Sequence, residues 1–296
     1  MPTPKNEVAY SLDQRGWIDT RGNPRLARFA GQQVAAGRLV RLLRGIYAAP
    51  DHAADPSIAL RALQHHDPNA VFTGLTAAHL TLWPQNPARL FPIEAASLTR
   101  PSRTGELFRW ERRRVPPDWI CEPGGLRCTR PELTAIDLIP RAGGDFVDSA
   151  LRQLGPGRQG DFLDSARRAL ADHPHRRGNA VRTRILDESR AFPWSPAERV
   201  LHRLLRSEGI LGWTANYLVR CGDRTFLIDV ALPESMVGYE VDGYEYHASR
   251  EAFEADCYRH NELALAGWRI FRFSWRMLTE DVDYVRDIVR RTAVWM

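Results

Sequence analysis

The sequence predicts an α/β protein, α+β and multidomain in its overall organisation. The last third of the chain reads α-β-β-β-α-β-α, and residues 1–50 read helix, helix, β-ribbon. A length of 296 residues is enough for two or three separate cores. Hydrophobic content of 44% with 26% charged residues excludes a disordered chain and fits a water-soluble one. There is no charged-then-apolar leader and no apolar run near the ~20 residues that a membrane helix needs. Cys121, Cys128, Cys221 and Cys257 form no CxxC pair, so neither a disulfide framework nor a zinc ribbon is expected. The expected location is the cytoplasm, with no membrane partner.

Residues 1–50 break into elements at their glycines and prolines. "NEVAYSLDQRG" makes a helix stopped by Gly16, and "PRLARFAGQQVAAG" a second that opens on Pro24 and ends at Gly37. "RLVRLLRGIYAAP" has strand character with a turn at Arg44-Gly45. Two helices followed by a basic ribbon outline a winged helix-turn-helix, with Arg25, Arg28, Arg38, Arg41 and Arg44 available to phosphates. The alternative is a small helical cap with a solvated basic face. Charge placement favours nucleic acid in the front half: residues 1–190 hold 28 Lys/Arg against 20 Asp/Glu, and residues 191–296 hold 13 against 16. Lys5 is the only lysine, a bias that genome composition explains better than binding does.

The stretches "GRLVRLLRGIYAAP", "AVFTGLTAAHLTLWP" and "LRCTRPELTAIDLI" resemble the N-terminal and middle regions of AbiEi-type antitoxins. The chain departs from that pattern in the shortened "WIDTRGN" and in Thr73-Gly74, where a Ser-His pair is common. The resemblance implies a winged-helix domain over 1–50, a mixed α/β middle region over 51–170, and a toxin or other defence-system partner. "ADHPHRRGN" clusters Pro, Gly and charge without periodicity, so 171–190 reads as a linker before a domain at 191–296.

In that last domain "SPAERVLHRLLRSEG" is a helix with Ser195 as N-cap, Pro196 in the first turn and Gly209 as stop. Three strands follow, "WTANYLVR", "RTFLIDVAL" and "MVGYEVDGY", close enough in sequence to form an antiparallel meander. The helix "REAFEADCYRHNELALAG" allows a parallel return in "WRIFRFS", and "TEDVDYVRDIVRRTAV" closes the domain. This is the core order of PD-(D/E)XK restriction-endonuclease-like domains.

Glu240 and Asp242 share a strand face, with Val241 opposite. With Glu234-Ser235 as a two-residue hairpin loop, Asp229 falls directly across from Glu240. Three carboxylates in one patch of sheet repel without a cation, and hard oxygen ligands suit Mg²⁺ or Mn²⁺. A one-residue slip would undo the pairing. A solvated edge strand is the simpler account of the Glu240/Asp242 pair alone. Glu198 completes a capping box with Ser195, yet Leu201 and Leu205 share its helix face, so it is either cap or site. His247 ends the acidic segment, where an imidazole either orients water or is structural.

The combination "SPAERVL…LIDVALPESMVGYEVDGYEYH…FEADCYRHNELALAGWRIFRFS" resembles the Vsr-like (very-short-patch-repair) endonuclease domain, in its branch with an E-x-D-G…H signature. The resemblance covers about 195–292. It implies Asp229 as the metal aspartate, Glu198 as a water-positioning glutamate, His247 as catalytic histidine and Glu240/Asp242 as further acids, with Arg259 available to a phosphate. Asp242 stands where the superfamily has lysine, and no lysine exists in this domain. A backbone carbonyl at 241 is an alternative ligand. The implied activity is Mg²⁺- or Mn²⁺-dependent hydrolysis of double-stranded DNA. The alternative is a DNA-binding regulator or antitoxin-like protein with an inactive nuclease-like domain. A repair nickase is disfavoured, because this chain lacks the Cys/His cluster of a structural zinc site.

Overall fold

Thr3 opens the first helix, α1 (Pro4–Arg15): its hydroxyl accepts the Asn6 N–H at 3.3 Å, and Gly16, at φ +82°, supplies the left-handed stop. A short strand β1 (Trp17–Asp19) leads to α2 (Pro24–Ala35), whose first turn is capped by Asn23. Strands β2 (Val40–Leu43) and β3 (Ile46–Ala48) turn at Arg44-Gly45, and the three strands form an antiparallel sheet ordered β1-β3-β2. The helices and ribbon match the sequence expectation, whereas β1 was not foreseen. Three residues are too few to display alternation, and only pairing with Ile46–Ala48, far along the chain, makes them a strand.

The computed structural model describes residues 3–85, 90–99, 103–155, 157–242 and 250–293, without the side chains of Arg190 and Ala252. The chain divides into two compact units, Met1–Leu138 and Ile139–Met296. The first continues with α3 (Pro50–Ala53), α4 (Pro56–His66), β4 (Val71–Phe72), α5 (Gly74–Leu80), β5 (Ile93–Ala96), β6 (Arg103–Thr104), β7 (Phe108–Glu111), β8 (Ile120–Cys121) and β9 (Cys128–Thr129), before α6 (Pro131–Ala142). Its second sheet is mixed and ordered β6-β7-β5-β4-β9-β8. Trp17, Leu42 and Ile46 share one core with Leu60, Phe72 and Ile93, so the opening elements and the middle region are continuous in their packing. Cys121 pairs across the strands with Cys128, the sulfurs 3.5 Å apart, and both are free thiols.

The second unit begins with α7 (Asp145–Leu154), α8 (Gln159–Ala171) and α9 (Asn179–Glu188). The span 171–190, expected to be a linker, therefore contains a helix. Arg182, Ile185 and Leu186 of α9 are buried, and tertiary packing overrides a segment with little helical periodicity of its own. Then follow α10 (Pro196–Ser207), β10 (Thr214–Cys221), β11 (Arg224–Leu232), β12 (Val237–Asp242), α11 (Arg250–Leu265), β13 (Arg269–Ser274), α12 (Trp275–Glu280) and α13 (Val282–Ala293). The sheet runs β10-β11-β12-β13, with the first three antiparallel and β13 parallel to β12. One face packs Leu201 and Leu205 of α10 with Tyr239, Phe273, Val285 and Val289. The other packs Ile228 and Trp268 with Leu263 of α11. Buried Arg199 ties α10 to α7 through Asp148 (Nε to Oδ2 3.0 Å), and reaches the Ile185 carbonyl at 3.0 Å and Ser189 at 2.8 Å. Such a charge is tolerable inside a protein only with this full set of partners. Among the described residues no helix is long and apolar enough to cross a membrane.

Candidate active site

The N-terminus of α10 fixes Glu198. Ser195 Oγ accepts the Glu198 N–H at 3.1 Å, and Glu198 Oε2 accepts the Trp194 N–H at 2.9 Å, a reciprocal cap that holds the side chain over the helix end. Leu201 and Leu205, on the same helix face, are fully buried, so Glu198 stands at the end of the stripe that meets the sheet. Burial, reinforced by the Asp229 charge, pushes its carboxyl up to about 7. Glu198 is therefore a cap that also feels Asp229.

Asp229 lies where β11 and β12 part. Their ladder runs Leu232↔Val237, Ala231↔Gly238, Val230↔Tyr239, and the same register would set Asp229 across from Glu240. The connection differs from the expected two-residue loop: Pro233–Ser235 form a 3₁₀ turn and Met236 is left-handed at φ +53°. Widening the loop by one residue on each side leaves the register unchanged. At Asp229 the side chain takes over from the backbone, its Oδ2 accepting the Val241 N–H at 2.8 Å. Val230 packs toward α10 while Ile228 packs with Leu263 of α11, so the regular alternation breaks at Asp229. Burial, with added repulsion from Glu240 and Asp242, pushes the Asp229 carboxyl up to about 6.

The other two acids carry counter-ions of their own. Both oxygens of buried Glu240 are gripped by the guanidinium of Arg259 on α11, whose Nη1 lies 2.9 Å from Oε2 and whose Nη2 also donates to the Leu227 carbonyl at 2.6 Å. Arg272 on β13 forks onto Asp242, at 3.1 Å (Nε) and 2.6 Å (Nη2). Asp256 sits between the two arginines, 2.5 Å from Arg272 and 3.6 Å from Arg259. Asp256 and Arg259 also form an i,i+3 ion pair on α11, but Glu240 is the nearer partner of Arg259. Arg272 was missed in the sequence. Its signal was the parallel return: β13 pairs in register with β12, which sets Arg272 beside Glu240.

Among the described residues no group of three or more His, Cys, Asp or Glu side chains stands at metal-ligand spacing. The donor chemistry nonetheless fits a divalent cation at Asp229. Its second oxygen accepts no hydrogen bond from the described residues, and neighbouring carboxylates make its negative charge unfavourable. His247 lies outside the described residues. Arg25, Arg28, Arg38, Arg41 and Arg44 belong to the other unit, on α2, the segment after it and the β2–β3 hairpin; all five are exposed and form no ion pair among the described residues. No acid lies between Thr20 and Pro50. Comparison of the chain with protein-family models, curated proteins and solved structures finds no match.

Proposed function

We propose that the chain is a divalent-cation-dependent DNA endonuclease. Its helix-helix-ribbon block docks on duplex DNA as a winged helix, and its C-terminal domain of the PD-(D/E)XK, Vsr-like kind cuts. The carrying observation is the placement of Asp229, a half-buried carboxyl at a break in the central strand pair, near enough to Glu198, Glu240 and Asp242 for the acids to act on one another's charge. Asp229, with Glu198 and the 240–242 acids, would hold Mg²⁺ or Mn²⁺, which supplies charge stabilisation at a phosphate and an activated water. Val241 N–H orients the Asp229 carboxyl, and Glu198, pushed up to about 7, suits holding or accepting a water proton near neutrality. In this reading His247 takes the role of the missing lysine.

The experiment is plasmid cleavage by full-length protein in Mg²⁺ and in Mn²⁺, beside Asp229→Asn. Loss of a ligand carboxylate should lower the rate by at least about 10²-fold with folding intact by circular dichroism. Equal cleavage by Asp229→Asn refutes the site. A second reading, a DNA-binding regulator with an inactive nuclease-like domain, is favoured by one observation: Arg259 and Arg272 already neutralise Glu240 and Asp242. It prevails if the wild type binds DNA specifically and cuts it with neither metal.

A further inference from the structure

We infer that Arg259 is an exchangeable counter-ion: it holds Glu240 in the free protein and moves to a DNA phosphate when a divalent cation takes that carboxylate. The inference rests on the endonuclease reading above. Glu240 is only 5% exposed, and its two oxygens are both committed to one guanidinium. A cation shared between Asp229 and Glu240 competes with the fork, since both are positively charged and the fork already occupies one lone pair on each Glu240 oxygen.

The displaced group is suited to what comes next. A guanidinium stays charged at every relevant pH, and its planar donors match phosphate oxygens as well as carboxylate ones. The Arg259 side chain is 24% exposed, so it is reachable by a ligand without unfolding α11. Asp256, one turn earlier on the same helix and 3.6 Å away, gives the freed fork an acidic tether beside the site. Arg272, which bridges Asp242 and Asp256, would meet the same competition wherever the cation also takes Asp242.

The test is Mn²⁺ titration of full-length wild type, Arg259→Met, Arg259→Lys and Asp229→Asn, followed by electron paramagnetic resonance of the free ion. Removing a unit positive charge from beside the cation should tighten Mn²⁺ binding by Arg259→Met about tenfold or more. In Ca²⁺, the same variant should bind a short duplex several-fold more weakly. Folded Arg259→Met with unchanged or weaker Mn²⁺ affinity overturns the inference, and leaves the endonuclease reading standing if Asp229→Asn abolishes wild-type binding. Unchanged duplex affinity in Ca²⁺ overturns its phosphate half. Mn²⁺ binding that is absent, or that Asp229→Asn does not alter, overturns both. Should Arg259→Met fail to fold, Arg259→Lys decides: a single-armed ammonium grips Glu240 less well, so Mn²⁺ affinity should rise by a smaller factor, and equal affinity overturns the inference.

Discussion

Asp229 accepts a hydrogen bond that a regular antiparallel ladder would direct to a backbone carbonyl, and this makes a single side chain part of the sheet. His202 offers the opposite case in the same unit. It is fully buried on α10, neither ring nitrogen has a hydrogen-bond partner among the described residues, and its ring lies 4.8 Å from that of Trp213. Burial, with the positive charges of Arg206 and Arg199 adding, pushes the imidazole down to about 3. A base whose folded pKa lies below its unfolded value binds fewer protons folded than unfolded. Stability is therefore full above about 6.5 and falls as pH drops toward about 3. His202→Phe keeps an aromatic ring against Trp213 and removes the proton. At pH 4 it should exceed the wild type by on the order of 3 kcal/mol, and at pH 7.5 the two should differ little. Urea denaturation at the two pH values measures this, and a constant difference at both would show that His202 does not titrate on unfolding.

Elements differ in how plainly the sequence announces them. The four strands of the C-terminal unit are readable because each spans six to nine residues and glycines punctuate them: Gly209, Gly222 and Gly267 are all left-handed. The register of β11 against β12 also follows from local information, since it depends only on the centre of one short connection. The six-stranded sheet of the first unit is not readable in this way, because strands of two to four residues carry no period and pairings such as Phe72↔Cys128 join distant segments. The destinations of Arg259 and Arg272 share that cause, as each needs a helix or a parallel return to be set in space first. Within β12, Gly238 marks a close approach: a Cβ there would meet Ile270 Cδ1 at 2.6 Å and Ile228 Cγ2 at 2.8 Å. Gly238→Ala should cost about 1–3 kcal/mol by overpacking, read as a lowered melting temperature. A double variant that also shortens Ile270 to Val should recover part of the loss. An unchanged melting temperature in the single variant would mean that the strands have room there.

At the scale of the whole molecule, the exposed arginines and the carboxyl site lie in different compact units. On the proposed reading, duplex docking and cation binding should then fail separately. Replacing Arg25, Arg28, Arg41 and Arg44 by Gln in the full chain should weaken duplex binding and flatten its salt dependence, by roughly one unit of log-log slope for each phosphate no longer neutralised. Mn²⁺ binding should not change. Asp229→Asn should do the reverse, sparing duplex binding measured without metal. Filter-binding titrations across a salt series separate these outcomes, and an unaltered slope in the arginine variant would remove α2 and the hairpin from the DNA-docking surface.

The stretch from Thr20 to Pro50 contains no Asp, Glu, His, Cys or Lys, and its six cations are all arginine. A guanidinium keeps its proton across the range in which cells live, so the six arginines hold their charge throughout it. The segment's arginines carry the same charge at pH 5 as at pH 9. On the proposed reading, any acid sensitivity in duplex binding has to originate outside those arginines, and a pH series on the wild type reports on the groups that supply it.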